Sequence, residues 1–131
     1  ITTDIIVGFP AETEEDFLQS LSIISEAGLA HVHCFPFSPR AGTAAAKKKD
    51  LPSAVKKERM ARIMRAAAQA EEKYISRFLG TERTALFEED GGYTENYIRV
   101  HAEGAREGDV YRVRLTELNQ GGAIAVLIKE L

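Results

Sequence analysis

The amino-acid pattern predicts an α/β segment, then a long amphipathic helix, then a small all-β barrel. Three observations carry that prediction. Residues 1–39 place a helical pattern between two short apolar runs, residues 51–79 repeat apolar side chains every three or four positions, and residues 80–131 change to period two between glycine clusters. The charge divides in the same places, with net −6 over residues 1–39, +7 over 40–79 and −4 over 80–131.

At 131 residues the chain can hold one ordinary domain or two small pieces sharing an interface, and its 44% hydrophobic content is that of a globular protein. A net charge of −3 gives no general attraction to nucleic acid or membrane, so any phosphate contact must use a local basic face. Cys34 is the only cysteine, which excludes an intramolecular disulfide and a multi-cysteine metal site within the chain. There is neither a membrane-spanning apolar run nor a signal-like start, so an intracellular, cytoplasmic location is expected. The chain opens at Ile1, inside a strand-like run and without Met, as a segment of something larger would.

Taken in order, Ile5-Ile6-Val7 predicts a strand covered on both faces, closed by Gly8-Phe9-Pro10. Thr13 suits an N-cap, with Asp16 three residues on and Glu14 and Glu15 in the first turn; Phe17, Leu21 and Ile24 form one apolar face, and Gly28 supplies the stop. His31–Phe35 reads as a second strand, giving a right-handed parallel crossover unit that needs further strands beside it. Chemistry in such units lies beyond the carboxyl ends of the strands, here Gly8–Thr13 and Pro36–Thr43. Gly8 and Gly42 either allow a close backbone approach or simply shape turns. Asp4 either binds a polar ligand group or caps a loop. His31 and His33 share a strand face but lack further metal ligands, so a structural or substrate-touching role is expected. Arg40 is an anion ligand or a solvated surface arginine.

Lys47, Lys48 and Lys49 open the basic region, and Pro52 fits the first turn of a helix over Leu51–Leu79. Met60, Ile63, Met64, Ala67, Ala70, Tyr74 and Phe78 should face a core, while Lys56, Arg59 and Arg62 form either a stripe for a phosphate backbone or the solvated back of the helix. Arg83–Glu88, Tyr97–His101, Val110–Leu115 and Ile124–Ile128 have strand length, separated by Gly91-Gly92, Gly104–Gly108 and Gly121-Gly122. Tyr111, Val113 and Leu115 share one strand face, opposite Arg112 and Arg114. Four or five short antiparallel strands suggest an OB-like barrel, a class that binds oligonucleotides through aromatic and basic side chains. Tyr93, Asn96, Tyr97, Arg99, Arg112 and Arg114 are the candidates, and the local charge favours shape-specific contact or domain packing over non-specific binding.

The run Thr2-Thr3-Asp4-Ile5-Ile6-Val7-Gly8-Phe9-Pro10-Ala11-Glu12-Thr13, then His33-Cys34-Phe35-Pro36-Phe37-Ser38-Pro39-Arg40-Ala41-Gly42-Thr43, resembles the later part of the radical S-adenosylmethionine methylthiotransferases. Gly92-Tyr93-Thr94-Glu95-Asn96-Tyr97-Ile98-Arg99-Val100 resembles their TRAM domain. Ala11 stands where this family usually has glycine, and Ala41 and Ala44 where it often has proline. The resemblance implies the end of a radical-SAM α/β partial barrel with its connecting helix over residues 1–79 and a TRAM barrel over 80–131. The wording favours the branch acting on N6-threonylcarbamoyladenosine beside the tRNA anticodon.

For the longer parent, the resemblance implies two 4Fe-4S clusters. One would reduce S-adenosylmethionine to give a 5′-deoxyadenosyl radical, the other would serve sulfur delivery, and a second S-adenosylmethionine would supply the methyl group. It also implies that Asp4, Gly8, Phe9, Pro10, Glu12 and Thr13, with Phe35, Ser38, Arg40, Gly42 and Thr43, face substrate or cofactor. Tyr93, Asn96, Tyr97 and Arg99 would meet tRNA. The cluster cysteines of this family are absent from the chain, so it should hold no cluster and catalyse nothing alone. Its partners would be the tRNA anticodon stem-loop and the rest of its own polypeptide, with self-association through exposed sheet edges. Two other readings are a non-catalytic RNA-binding or adaptor protein, and a parallel-sheet enzyme using Asp4 and Glu12 as acid and base.

Overall fold

The computed structural model describes residues 2–29 and 31–131; the start of the chain at Ile1 lies outside them. Packing divides the chain into two compact units, one ending at Ala70 and the other running Glu71–Leu131.

In the first unit, β1 (Thr2–Val7) and β2 (His31–Pro36) pair in parallel with α1 (Glu14–Glu26) between them, Asp4 opposite His33 and Ile6 opposite Phe35. The α1 start is the expected capping box: the Asp16 N–H donates to Thr13 Oγ1 (3.1 Å) and the Thr13 N–H to Asp16 Oδ2 (3.0 Å). Gly28, at φ +62°, sits just past the helix C-cap. Val7, Phe17, Ile24, Leu29, Val32 and Ile63 form the core, with Ile5, Leu21, Cys34, Met60, Ala67 and Ala70 around it. The expectation of a strand covered on both faces needs correction. Alternation sends Ile6 and Phe35 to the face away from this core, where they are 56% and 51% exposed. The two described strands give a parallel β-α-β unit and no more of a barrel than that.

The long helix is α2 (Ser53–Ser76). Met60, Ile63, Ala67 and Ala70, spaced three and four apart, serve the first core. Met64 departs from the buried position that its spacing predicts and is 58% exposed, because the position after Ile63 lies about 100° around the helix from that seam.

In the second unit, β3 (Glu82–Glu88), β4 (Gly91–Thr94), β5 (Arg99–His101), β6 (Val110–Asn119) and β7 (Gly122–Glu130) close a barrel in the order β3-β4-β5-β7-β6. Closure leaves no free edge. Ala85, Phe87, Ile98, Val100, Tyr111, Val113, Leu115, Ala123 and Ala125 fill the interior with Ile75, and Tyr74, Phe78 and Leu79 pack against it. Arg112 and Arg114 point outward on β6, as the alternation requires.

Three readings of this half change. The pairing is not wholly antiparallel, since β5 and β7 run parallel. Gly91-Gly92, read as a separator, lies within β4. A Cβ on Gly92 would stand 2.7 Å from the Phe87 ring, so a barrel aromatic requires the bare backbone there. The strand expected over Tyr97–His101 begins only at Arg99, because Thr94 and Ile98 close a tight turn between β4 and β5.

Candidate ligand cleft and barrel face

The carboxyl ends of β1 and β2 open into a cleft of about 650 Å³ lined by Asp4, Ile6, Phe35, Pro36, Phe37, Ser38, Arg40, Thr43 and Ala45. It gathers five of the expected residues: Asp4, Phe35, Ser38, Arg40 and Thr43. One carboxylate, one guanidinium and an apolar floor suit a zwitterionic or polar ligand carrying a flat apolar part. Thr43 Oγ1 donates to the Arg40 carbonyl (2.7 Å), and the Ala46 N–H donates back to Thr43 Oγ1 (3.3 Å), so this hydroxyl shapes the loop. Phe9 reaches the rim through an edge-to-face contact with Phe37, centroids 5.3 Å apart. Pro36 and Phe37 fall in the expected strand-end stretch without having been singled out, and Ile6 and Ala45 were missed. Ile6 was legible, being two residues from Asp4 and so on its face.

The other loop residues lie elsewhere. Pro10 is buried, Thr13 caps α1, and Gly42 sits in an exposed turn at φ +85°. The Gly8 N–H donates to Glu12 Oε1 (3.1 Å), and a Cβ on Gly8 would overlap the Lys56 side chain. Arg59 Nη1 donates to the same Oε1 (2.7 Å) and to the Glu12 carbonyl (3.0 Å), with both side chains about nine-tenths buried. Glu12 therefore fastens the loop to α2. Asp4 lines the cleft and Glu12 does not, so the two carboxylates are not brought to one site as the acid–base reading requires.

The helical basic stripe is likewise engaged within the chain. Lys56 Nζ donates to Asp50 Oδ2 (2.7 Å), and Arg62 Nη1 donates to Glu14 Oε1 (2.6 Å) while its guanidinium lies over the Phe17 ring. Lys47, Lys48, Lys49, Lys57 and Arg65 are exposed, as are Arg40, Lys73 and Arg77 at the two ends of the basic region. His31 and His33 stack edge to face, ring centroids 4.4 Å apart. Burial pushes the Cys34 thiol above its ordinary value.

On the barrel, Leu86, Tyr93 and Arg99 are cross-strand partners along one exposed row of β3, β4 and β5. Tyr97, in the β4–β5 turn, is 77% exposed. Asn96 is tucked in: its Oδ1 accepts from Thr94 Oγ1 (2.6 Å) and its carbonyl accepts from the Tyr74 hydroxyl (3.0 Å). Arg112 and Arg114 both approach the Glu82 carboxylate, at 3.8 and 3.5 Å. Arg99 instead donates to the Asp90 carbonyl (2.8 Å).

No family model matches the chain. Individual proteins do, and they place it: over nearly its full length the chain is homologous to tRNA methylthiotransferases. It is 38% identical to the threonylcarbamoyladenosine tRNA methylthiotransferase MtaB of Thermotoga maritima, over 95% of the chain and 30% of that protein. The Bacillus subtilis protein of the same name is 32% identical, over all of the chain and 33% of its own length. The tRNA-2-methylthio-N(6)-dimethylallyladenosine synthase of Staphylococcus haemolyticus is 38% identical, over 92% of the chain and 26% of that protein. The chain thus spans about a third of the length of these relatives.

Proposed function

We propose that this chain is the C-terminal part of a radical-SAM methylthiotransferase acting on N6-threonylcarbamoyladenosine beside the tRNA anticodon, in the cytoplasm. Its β-α-β unit belongs to the catalytic partial barrel and its closed barrel is a TRAM domain. The carrying observation is the homology to the T. maritima protein over 95% of the chain, across both units. The cleft of Asp4, Phe35, Ser38, Arg40 and Thr43 then faces the modified base or the S-adenosylmethionine, and the barrel row meets RNA. The residues present do not fit an iron–sulfur cluster. Cys34 offers one thiolate where a cluster takes several, and among the described residues no three His, Cys, Asp or Glu side chains converge on a metal site. Cluster chemistry thus belongs to the rest of the polypeptide.

The test is binding of the chain to an anticodon stem-loop carrying threonylcarbamoyladenosine, against the same loop with plain adenosine, over a salt series. Salt-sensitive binding that prefers the modified loop is the expected result. Binding without preference would remove the cleft from substrate recognition, and binding of neither loop would remove the RNA role. The solitary cysteine favours one alternative, an RNA-binding adaptor without catalysis. A parent reading frame that encodes no cluster cysteines upstream would select it.

A further inference from the structure

The turn between β4 and β5 holds Tyr97 at φ +66°, in the left-handed region where a tyrosine is uncommon and a glycine would be at ease. The turn has no freedom to relax. The Tyr97 N–H donates to the Thr94 carbonyl (3.0 Å), the Thr94 N–H to the Ile98 carbonyl (2.9 Å), and the Ile98 N–H to Thr94 Oγ1 (3.0 Å). The Thr84 N–H donates to Glu95 Oε2 (2.9 Å), and Thr94 and Ile98 are buried on either side. Yet the ring that makes this conformation costly is 77% exposed and adds nothing to the barrel core. A strained residue whose side chain does no folding work is there for what it displays.

What lies beside it defines the ligand. Tyr93 and Arg99, on the two strands that this turn joins, are direct cross-strand partners on the exposed face, with Leu86 next in the row. Two solvent-facing phenol rings and one guanidinium that, among the described residues, pairs with a backbone carbonyl and no carboxylate match successive nucleobases and one phosphate. A duplex would hide its base faces from those rings.

We propose that Tyr97 is a stacking platform for an unpaired RNA base, with the adjacent nucleotide carried by Tyr93 and its phosphate by Arg99. The proposal rests on the RNA-facing reading of the barrel and adds its mode: single-stranded, base-stacked and centred on the strained turn.

The experiment titrates the 131-residue chain with a fluorescein-labelled single-stranded RNA nonamer and with the same nonamer annealed to its complement. The free nonamer should bind at least about tenfold more tightly. Tyr97→Phe should keep its affinity within about twofold, whereas Tyr97→Leu and Tyr97→Gly should each weaken it about tenfold. Tyr97→Gly should also hold or raise the melting temperature, so its loss of binding cannot come from unfolding. If Tyr97→Leu and Tyr97→Gly bind like the parent, or the annealed form binds better, the stacking proposal fails while the RNA reading stands. If neither RNA binds, both fail.

Discussion

At the scale of the residue, Ala11 shows how much a single backbone angle can cost. It lies at φ +70°, where an L side chain crowds the following carbonyl. Ala11→Gly should therefore stabilise the chain by about 1 kcal/mol, read from a denaturant midpoint at unchanged slope. Asp16 gives a pH signature. Its hydrogen bond from the Thr13 backbone, then that with the Thr13 side chain, holds its carboxyl below the ordinary 3.8. Because the folded value is the depressed one, this contribution is present above 3.8 and lost as the pH falls through the lower, folded value. The gap in melting temperature between the parent and Asp16→Asn should accordingly persist through neutral pH and close only in that acid window. Gly122 tests steric closeness instead, since a Cβ there would overlap the Arg99 carbonyl on the neighbouring strand. Gly122→Ala should cost about 1–3 kcal/mol from that overlap, whereas Gly121→Ala, with open space but φ +71°, should cost about 1 kcal/mol from backbone strain alone.

Elements were legible wherever local chemistry decided them. Thr13, Asp16 and Gly28 mark both ends of α1 without help from the rest of the chain, and the alternation of Tyr111, Val113 and Leu115 with two arginines fixes the inward face of β6. What distant contacts decide could not be read. The glycine pair at 91 and 92 has the composition of a turn, and only the Phe87 ring lying on it makes it a strand. Glu12 and Arg59 each looked like ligand-facing residues, but they meet across 47 positions of sequence and satisfy one another. The cleft was half legible for the same reason: Asp4 and Phe35 lie on the two strands and Arg40 in the loop that follows, but the placement of Ala45 and Phe37 depends on how that loop folds back. The Glu12–Arg59 clasp makes its own prediction. Glu12→Ala strands a buried guanidinium and should destabilise the chain by about 3 kcal/mol in chemical denaturation. Arg62→Gln, farther from the core, should cost under about 1 kcal/mol.

Across the whole molecule, positive charge divides into cations engaged within the chain and cations left to solvent. Changing Lys47, Lys48 and Lys49 together to glutamine should flatten the salt dependence of the proposed RNA binding, by about 0.7 in log–log slope for each single-strand phosphate that is no longer neutralised. Lys56, Arg59 and Arg62, already facing Asp50, Glu12 and Glu14, should contribute little to that slope. The last turns of α2 carry a different consequence. Ile75 sits inside the barrel core, Tyr74 and Phe78 lie against it, and the Tyr74 hydroxyl pins the carbonyl of Asn96. A genetic exchange that joined the barrel to another protein at Gly80 would leave this plug behind; one that crossed over ahead of Glu71 would take it along. Of the two transplants, only the second should melt as a single cooperative body, so the heritable unit here begins in a helix and not at the first strand.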